Sequence, residues 1–233
     1  MTAPSPVPLP SVPSSASAVA GLIEAVQRAD TALTLLQATQ ALAAAAHPQA
    51  AACLVDVLGF NNPGAAVAAV DGLIAIGEPA VATILANIDG TNYGARAWAV
   101  RALAGIGDVR GLEVLEEALA HDIGPSVRRA AARGLGQLRL EALERSQREC
   151  VVGRCLQALV QGCGDDEWVV RYAVVVGLEF LAPQLQEQLE RQQLLAALRG
   201  LEADSGQEAS VVQLRAALAL RRVGAAPEGR PHG

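Results

Sequence analysis

The chain has 233 residues and is 52% hydrophobic but only 3% aromatic, so alanine and leucine, both strong helix formers, make up most of any core. That length suits one sizeable domain or an array of about five or six helical repeats. A net charge of −6, with 18 arginines and no lysine, excludes a broad nucleic-acid footprint. An all-arginine set of cations fits a genome rich in G and C, and it equally suits planar, bidentate recognition of carboxylates.

Residues 1–18 are rich in Pro, Ser and Ala. They lack a charged head and an uninterrupted apolar run, so they read as a disordered tail rather than a signal peptide. Helices are expected at 19–28, 32–45 and 48–58, followed by a break at Asn61-Asn62-Pro63-Gly64. The next helix, 65–76, ends at Gly77, a natural C-cap. Pro79 suits the first turn of a helix reaching about residue 88, and 89–92 reads as a turn. Helix 93–106 follows, then Asp108 as a cap before 111–120. After a break at 122–126, Ser126 is placed to cap 127–138. A longer polar helix is expected at 140–161, then a break at 162–166 and helices at 167–181, 185–199 and 208–222. Residues 224–233 read as a second disordered tail.

No strand-like alternation of useful length appears, and nothing approaches the roughly 20 continuous apolar residues of a membrane span. The expectation is one all-α repeat domain over 19–223, in the cytoplasm. Cys53, Cys150, Cys155 and Cys163 form no C-x-x-C pair and lie far in sequence from His47, His121 and His232. No metal site is therefore expected, and the thiols read as free and mostly buried.

One punctuation pattern recurs. Residues 95–107 read ARAWAVRALAGIG, 127–138 read VRRAAARGLGQL and 170–181 read VRYAVVVGLEFL; 65–77, AAVAAVDGLIAIG, repeat the frame more faintly. Leu73, Leu103, Leu135 and Leu178 align at spacings of 30, 32 and 43 residues. Repeats of this size mean an α-solenoid of stacked helix pairs.

The frame sorts side chains into columns. Arg96, Arg128 and Arg171 share one register. These positions resemble the Val-Arg pair of the HEAT consensus, in which the arginine pairs with acids of adjacent repeats. A second column holds Arg101 and Arg133, with Val176 in place of arginine. Trp98 shares a helix flank with Arg101, Arg129 shares one with Arg133, and Tyr172 takes the Arg129 register one repeat later. Tyr93, Pro125 and Trp168 stand at successive helix entrances. Aromatic anchors beside arginines suit a flat, conjugated, anionic ligand or a partner surface; Trp98 and Trp168 also read as plugs in thin Ala-rich layers.

Residues 92–136 carry a family resemblance. The core YGARAWAVRALA followed by SVRRAAARGLG, with its Asn-Tyr-Gly-Ala-Arg lead-in, resembles the phycobilin lyases of the E/F type, which are built from HEAT-like (armadillo-type) repeats. The F subunit of the phycocyanin α-subunit lyase is the most similar type. The resemblance implies a heterodimer with a homologous E-type subunit. Such a pair attaches a linear tetrapyrrole, phycocyanobilin or phycoerythrobilin, to a cysteine of a phycobiliprotein α-type subunit through a thioether. The tetrapyrrole is then a substrate, with no tightly bound cofactor, and the reacting thiol belongs to the acceptor.

On that reading Tyr93, Arg96, Trp98, Arg101, Arg128, Arg129, Arg133, Trp168, Arg171 and Tyr172 contact bilin or partner. Asp122, Asp165 and Asp166 are candidate acids for protonating the bilin, and also ordinary turn formers. The added His-Cys motif of isomerising family members is missing, since Asp122 follows His121, so attachment alone is expected. A non-enzymatic HEAT-repeat adaptor in phycobilisome assembly or degradation is the alternative.

Overall fold

A computed structural model describes residues 16–88, 92–204 and 209–225. Of the expected tails 1–18 and 224–233 and the expected turn 89–92, residues 1–15, 226–233 and 89–91 lie outside the described residues. Twelve α-helices are present among them: α1 (Ala16–Gln27), α2 (Ala32–Ala44), α3 (Ala51–Leu58), α4 (Pro63–Ile76), α5 (Glu78–Ala86), α6 (Tyr93–Ile106), α7 (Leu112–His121), α8 (Pro125–Leu135), α9 (Arg145–Gly162), α10 (Trp168–Leu181), α11 (Gln188–Glu202) and α12 (Ala209–Ala225). No strand occurs among the described residues. No described helix is long and apolar enough to cross a membrane.

The helix starts follow local chemistry. Thr31 accepts a hydrogen bond from the Thr34 amide and completes a capping box for α2. Asn62 caps α4 through the Ala65 amide, with Pro63 at the first helical position. Asn92 Oδ1 does the same for α6 through Ala95. Gly77 and Gly107 end α4 and α6 with φ of +74° and +70°, a conformation that side chains oppose.

Several expectations about boundaries fail. Ser126 is not a cap: Pro125 starts α8 one residue before Ser126, Gly124 is the N-cap, and the Asp122 carboxylate takes the Gly124 amide. The polar helix starts at Arg145, not 140, because Arg139 donates its amide to the Gly107 carbonyl and ties this stretch to the end of α6. Residues 48–50 form a 3-10 turn ahead of α3 rather than its first turn. Ala16–Ala18 and Gly224 are helical, so the helical region reaches slightly beyond the expected domain limits.

The described residues divide into two compact units, one up to Ala95 and one from Arg96 on. In the first unit, α2 packs on α4 in one layer and α3 on α5 in the other. In the second, α8, α10 and α12 lie side by side, backed by α7, α9 and α11. This is the two-layer stacking of an α-solenoid. The frame leucines are its centre: Leu73, Leu103, Leu135 and Leu178 are all 0–1% exposed.

The residue before each frame leucine sets the spacing between helices. It is Gly72, Ala102, Gly134 or Gly177. A Cβ on Gly134 would stand 2.7 Å from that of Ala104 on α6, and one on Gly177 would run into the Ala132 carbonyl of α8 and stand 2.9 Å from Leu159. Backbones touch here with no side chain between them. Gly177→Ala is expected to destabilise the second unit by about 1–3 kcal/mol through overpacking. Gly21→Ala, in α1 with open space around it, should instead stabilise by about 0.5–1 kcal/mol. Chemical denaturation followed by circular dichroism reads both, and equal midpoints would remove the close-approach account.

Candidate functional site

The Arg96, Arg128 and Arg171 register builds a ladder along the helix entrances of the second unit. Arg96 Nη2 donates to Asp122 at 2.7 Å. Arg128 grips Asp165 with two bonds, Nε at 2.7 Å and Nη2 at 2.9 Å. Its third nitrogen donates to the Asp122 carbonyl at 2.9 Å. Arg171 repeats the move one step on, with Nε on Asp204 at 3.0 Å and Nη1 on the carbonyls of Asp165 and Asp166 at 2.7 and 3.0 Å. Each of these last two arginines thus joins its own entrance loop to the next one. The bidentate geometry is the kind arginine makes and lysine cannot. Hydrogen bonding to Asp165 raises the Arg128 pKa further.

This arrangement sorts the candidate acids. Asp122 is buried, ion-paired to Arg96, and accepts the Gly124 amide at 2.8 Å. Asp165 is bound to Arg128 and accepts the Glu167 amide at 2.9 Å. Both carboxylates are committed to fixing loops. Asp166 is exposed, and among the described residues Arg171 engages its backbone carbonyl and not its carboxylate. It lines a groove of about 270 Å³ with Asp122, Arg128 and Asp165.

The remaining arginines are arranged differently. Arg129 and Arg133 are exposed on α8, four residues apart, and neither makes an ion pair or side-chain hydrogen bond among the described residues. Arg101 stacks on Trp98, its guanidinium carbon 4.6 Å from the ring centroid. Tyr172 is 36% exposed on α10, with Trp168 half-buried at its first turn. Tyr93 is exposed at the start of α6, within the first unit. Trp98 and Arg101 are thus in contact on α6, Arg129 and Arg133 stand on α8, and Trp168 and Tyr172 on α10, whereas Arg96, Arg128 and Arg171 of the same helices spend their side chains on the entrance loops. A larger groove of about 680 Å³ beside α7 and α9 is lined by Glu113, Glu116, Glu117 and Asp165, and its one arginine, Arg154, is already paired with Glu116, which makes it a poor host for an anion.

Three residues of this region are absent from the sequence expectations. Asp204 receives Arg171. Gln213 on α12 donates to the Asp204 carbonyl, as Arg171 does to that of Asp165. The signal was present: Val211-Val212-Gln213 repeats Val169-Val170-Arg171 with the charge removed. Arg215 pairs with Glu179, which also takes Arg222 at 2.9 Å, and lies 5.9 Å from the Tyr172 ring.

Burial alone would push the Glu179 carboxyl up, but hydrogen bonds from Arg222 and Arg215 hold it below the usual range. Cys155 and Cys163 are pushed up to about 12 by burial, so neither is a nucleophile at neutral pH. Cys150 is exposed and five residues from buried Cys155, so the two do not share a face.

Arg128→Ala leaves the largely buried Asp165 unpaired and is expected to cost about 3 kcal/mol of stability. Arg129→Ala next to it should change stability by less than about 0.5 kcal/mol. Comparable losses in urea titrations of both variants would contradict the division between ladder and surface arginines. The folded Glu179 pKa lies below its unfolded value, so its pairing stabilises above the ordinary carboxylate range and is lost as pH falls through the lowered value. Glu179→Gln should flatten that acid limb in melts recorded from neutral to acidic pH.

Residues 85–146 match a family model for HEAT repeats. The phycocyanin alpha phycocyanobilin lyase CpcF of Synechocystis sp. is 56% identical over 165 residues, 71% of this chain and 77% of that protein. A phycobilisome maturation protein of Synechococcus elongatus is 48% identical over 205 residues, 88% of this chain and 97% of that one. Among solved structures, the complex of CpcE and CpcF of phycocyanin lyase from Nostoc sp. superimposes with a TM-score of 0.66 at 40% identity, covering 74% of this chain and 99% of that chain. With ladder, frame leucines and aromatic–arginine surface set on a HEAT-type array, and with identity at this level over most of its length, the chain belongs to the phycobilin lyases of the E/F type, on the F-subunit side.

Proposed function

We propose that this chain is one subunit of a heterodimeric bilin lyase, acting with an E-type partner on a phycobiliprotein subunit. The observation that carries the reading is its 56% identity to a phycocyanobilin lyase over most of both chains. The relatives' printed names also favour phycocyanobilin as the bilin and α-phycocyanin as the acceptor. The reaction adds the acceptor thiolate to the ethylidene carbon of ring A. A C–S bond forms, and the thiol proton is balanced by protonation of the ring, with no leaving group.

The chemistry asks for positioning more than for a nucleophile on the enzyme, and oriented binding lowers such barriers by several kcal/mol. Arg101, Arg129 and Arg133 hold the bilin propionates, since none has a competing carboxylate among the described residues. Trp98, Trp168 and Tyr172 offer faces for the conjugated rings. Tyr93 is kept as a partner contact. Arg96, Arg128 and Arg171 act indirectly, by fixing the loops that carry the site. Asp166 is the acid placed to protonate the bilin, while Asp122 and Asp165 hold its loop neighbours in place. We place the reaction in the cytoplasm, where the acceptor thiol stays reduced.

An adaptor in phycobilisome maturation shares the fold, and the maturation protein among the relatives keeps that reading in view. Covalent product separates the two. Co-expression with an E-type partner, apo-α-phycocyanin and a bilin-producing pathway should give bilin fluorescence on the denatured acceptor. The signal should require this chain and vanish when the acceptor cysteine is replaced by alanine. No adduct with any partner and either bilin would favour the adaptor. Arg133→Ala should weaken bilin binding by the partnered complex about tenfold, the worth of one charge-assisted hydrogen bond. Arg145→Ala, which removes an exposed pair with Glu149, should leave binding within about twofold of the parent.

A further inference from the structure

The face bearing Arg129 and Arg133 continues across α10 onto α12, and its chemistry changes in order. The stretch 211–223, VVQLRAALALRRV, repeats 169–181, VVRYAVVVGLEFL. The register is fixed independently by geometry, because Gln213 on α12 and Arg171 on α10 reach equivalent aspartate carbonyls. In that register Arg129, Tyr172 and Leu214 occupy one row on the adjacent helices α8, α10 and α12. Arg133, Val176 and Leu218 form the next row. Leu214 is 73% exposed and Val211, one turn earlier, 45%. The Tyr172 ring between them and the cations is braced by Arg215, itself held by Glu179. Along the Arg129–Tyr172–Leu214 row the face therefore runs from cationic, through a fixed aromatic, to aliphatic, while the exposed Arg221 and Arg222 lie about two turns further along α12.

We infer that this gradient orients the tetrapyrrole across the helices, with its propionates on α8 and one uncharged terminal ring on Tyr172 and Leu214. The inference rests on the bilin-binding reading above and adds the direction of the ligand. The match is one of charge order: a linear tetrapyrrole carries both carboxylates on its inner rings and none on its ends. Neighbouring helices in a layer are about 8–10 Å apart, so the α8–α12 row is long enough for a multi-ring ligand to lie across it. A ligand lying along α8 alone would meet one exposed aliphatic side chain, Ile123 in its entrance loop, and no aromatic one on the helix itself.

The test titrates the purified heterodimer with phycocyanobilin and with its dimethyl ester, following the visible absorption band. Arg133→Ala should weaken the free acid about tenfold and leave the ester unchanged. Leu214→Asp and Tyr172→Ala should weaken both forms alike, by about three- to tenfold, with melting and heterodimer elution as in the parent. Leu214→Gln guards against a pure charge effect and should behave as Leu214→Asp does. Parent-like affinity of the Leu214 and Tyr172 variants, with the Arg133 selectivity intact, would overturn the orientation but leave the bilin site standing. Loss of the E-type partner from the Leu214 variants would also overturn it, by making α12 a protein contact. Failure of Arg133→Ala to separate acid from ester would remove the propionate site itself, and the orientation with it.

Discussion

The second unit depends on one steric constraint: α6, α8 and α10 approach until backbone meets backbone. Gly134 against Ala104 and Gly177 against Ala132 leave no room for a side chain. This brings successive entrance loops within the reach of a single arginine. Were the helices held apart by larger residues, Arg128 could not grip Asp165 while donating to the Asp122 carbonyl. The ladder is thus a consequence of the thin layers, and the low aromatic content is what makes the layers thin. The aromatic residues that remain are free to serve the surface.

Ladder and surface divide the labour between two kinds of arginine. Arg128 and Arg129 are neighbours in sequence, yet one is locked among carboxylate and carbonyl oxygens and the other faces solvent. The locked set supplies rigidity to loops that would otherwise wander, which a site acting by positioning requires. The exposed set supplies charge without a prior partner to displace. Guanidinium groups tied to the loops and others left open on the helices give two surfaces with different tasks.

Much of this was legible in the sequence, and the failures have physical causes. The frame leucines, the start and end of α6, and the Arg96–Arg128–Arg171 register follow from periodicity alone. The start of α9 did not, because residues 140–144 are locally helix-compatible and are held off the helix by a long-range bond from Arg139 to Gly107. Ser126 looked like a cap until Pro125 claimed the first helical position. Asp122 and Asp165 could be read as acids or turn formers; only geometry shows how fully their oxygens are used. The α12 repeat is hard to see in the sequence because Gln213 stands where the other repeats have arginine.

That replacement gives the ladder a direction and an end group. Each arginine needs an aspartate in the following loop, so every rung demands a successor, as a growing polymer demands another monomer. Gln213 donates its neutral amide to the Asp204 carbonyl and asks for no carboxylate beyond it. A duplicated repeat spliced in ahead of α12 would inherit both halves of the code, a cation facing forward and an anion to receive it. The same repeat spliced in after α12 would arrive with its aspartate unanswered. The ladder's code is extensible ahead of α12 and not through Gln213, which confines the routes by which rungs could be added.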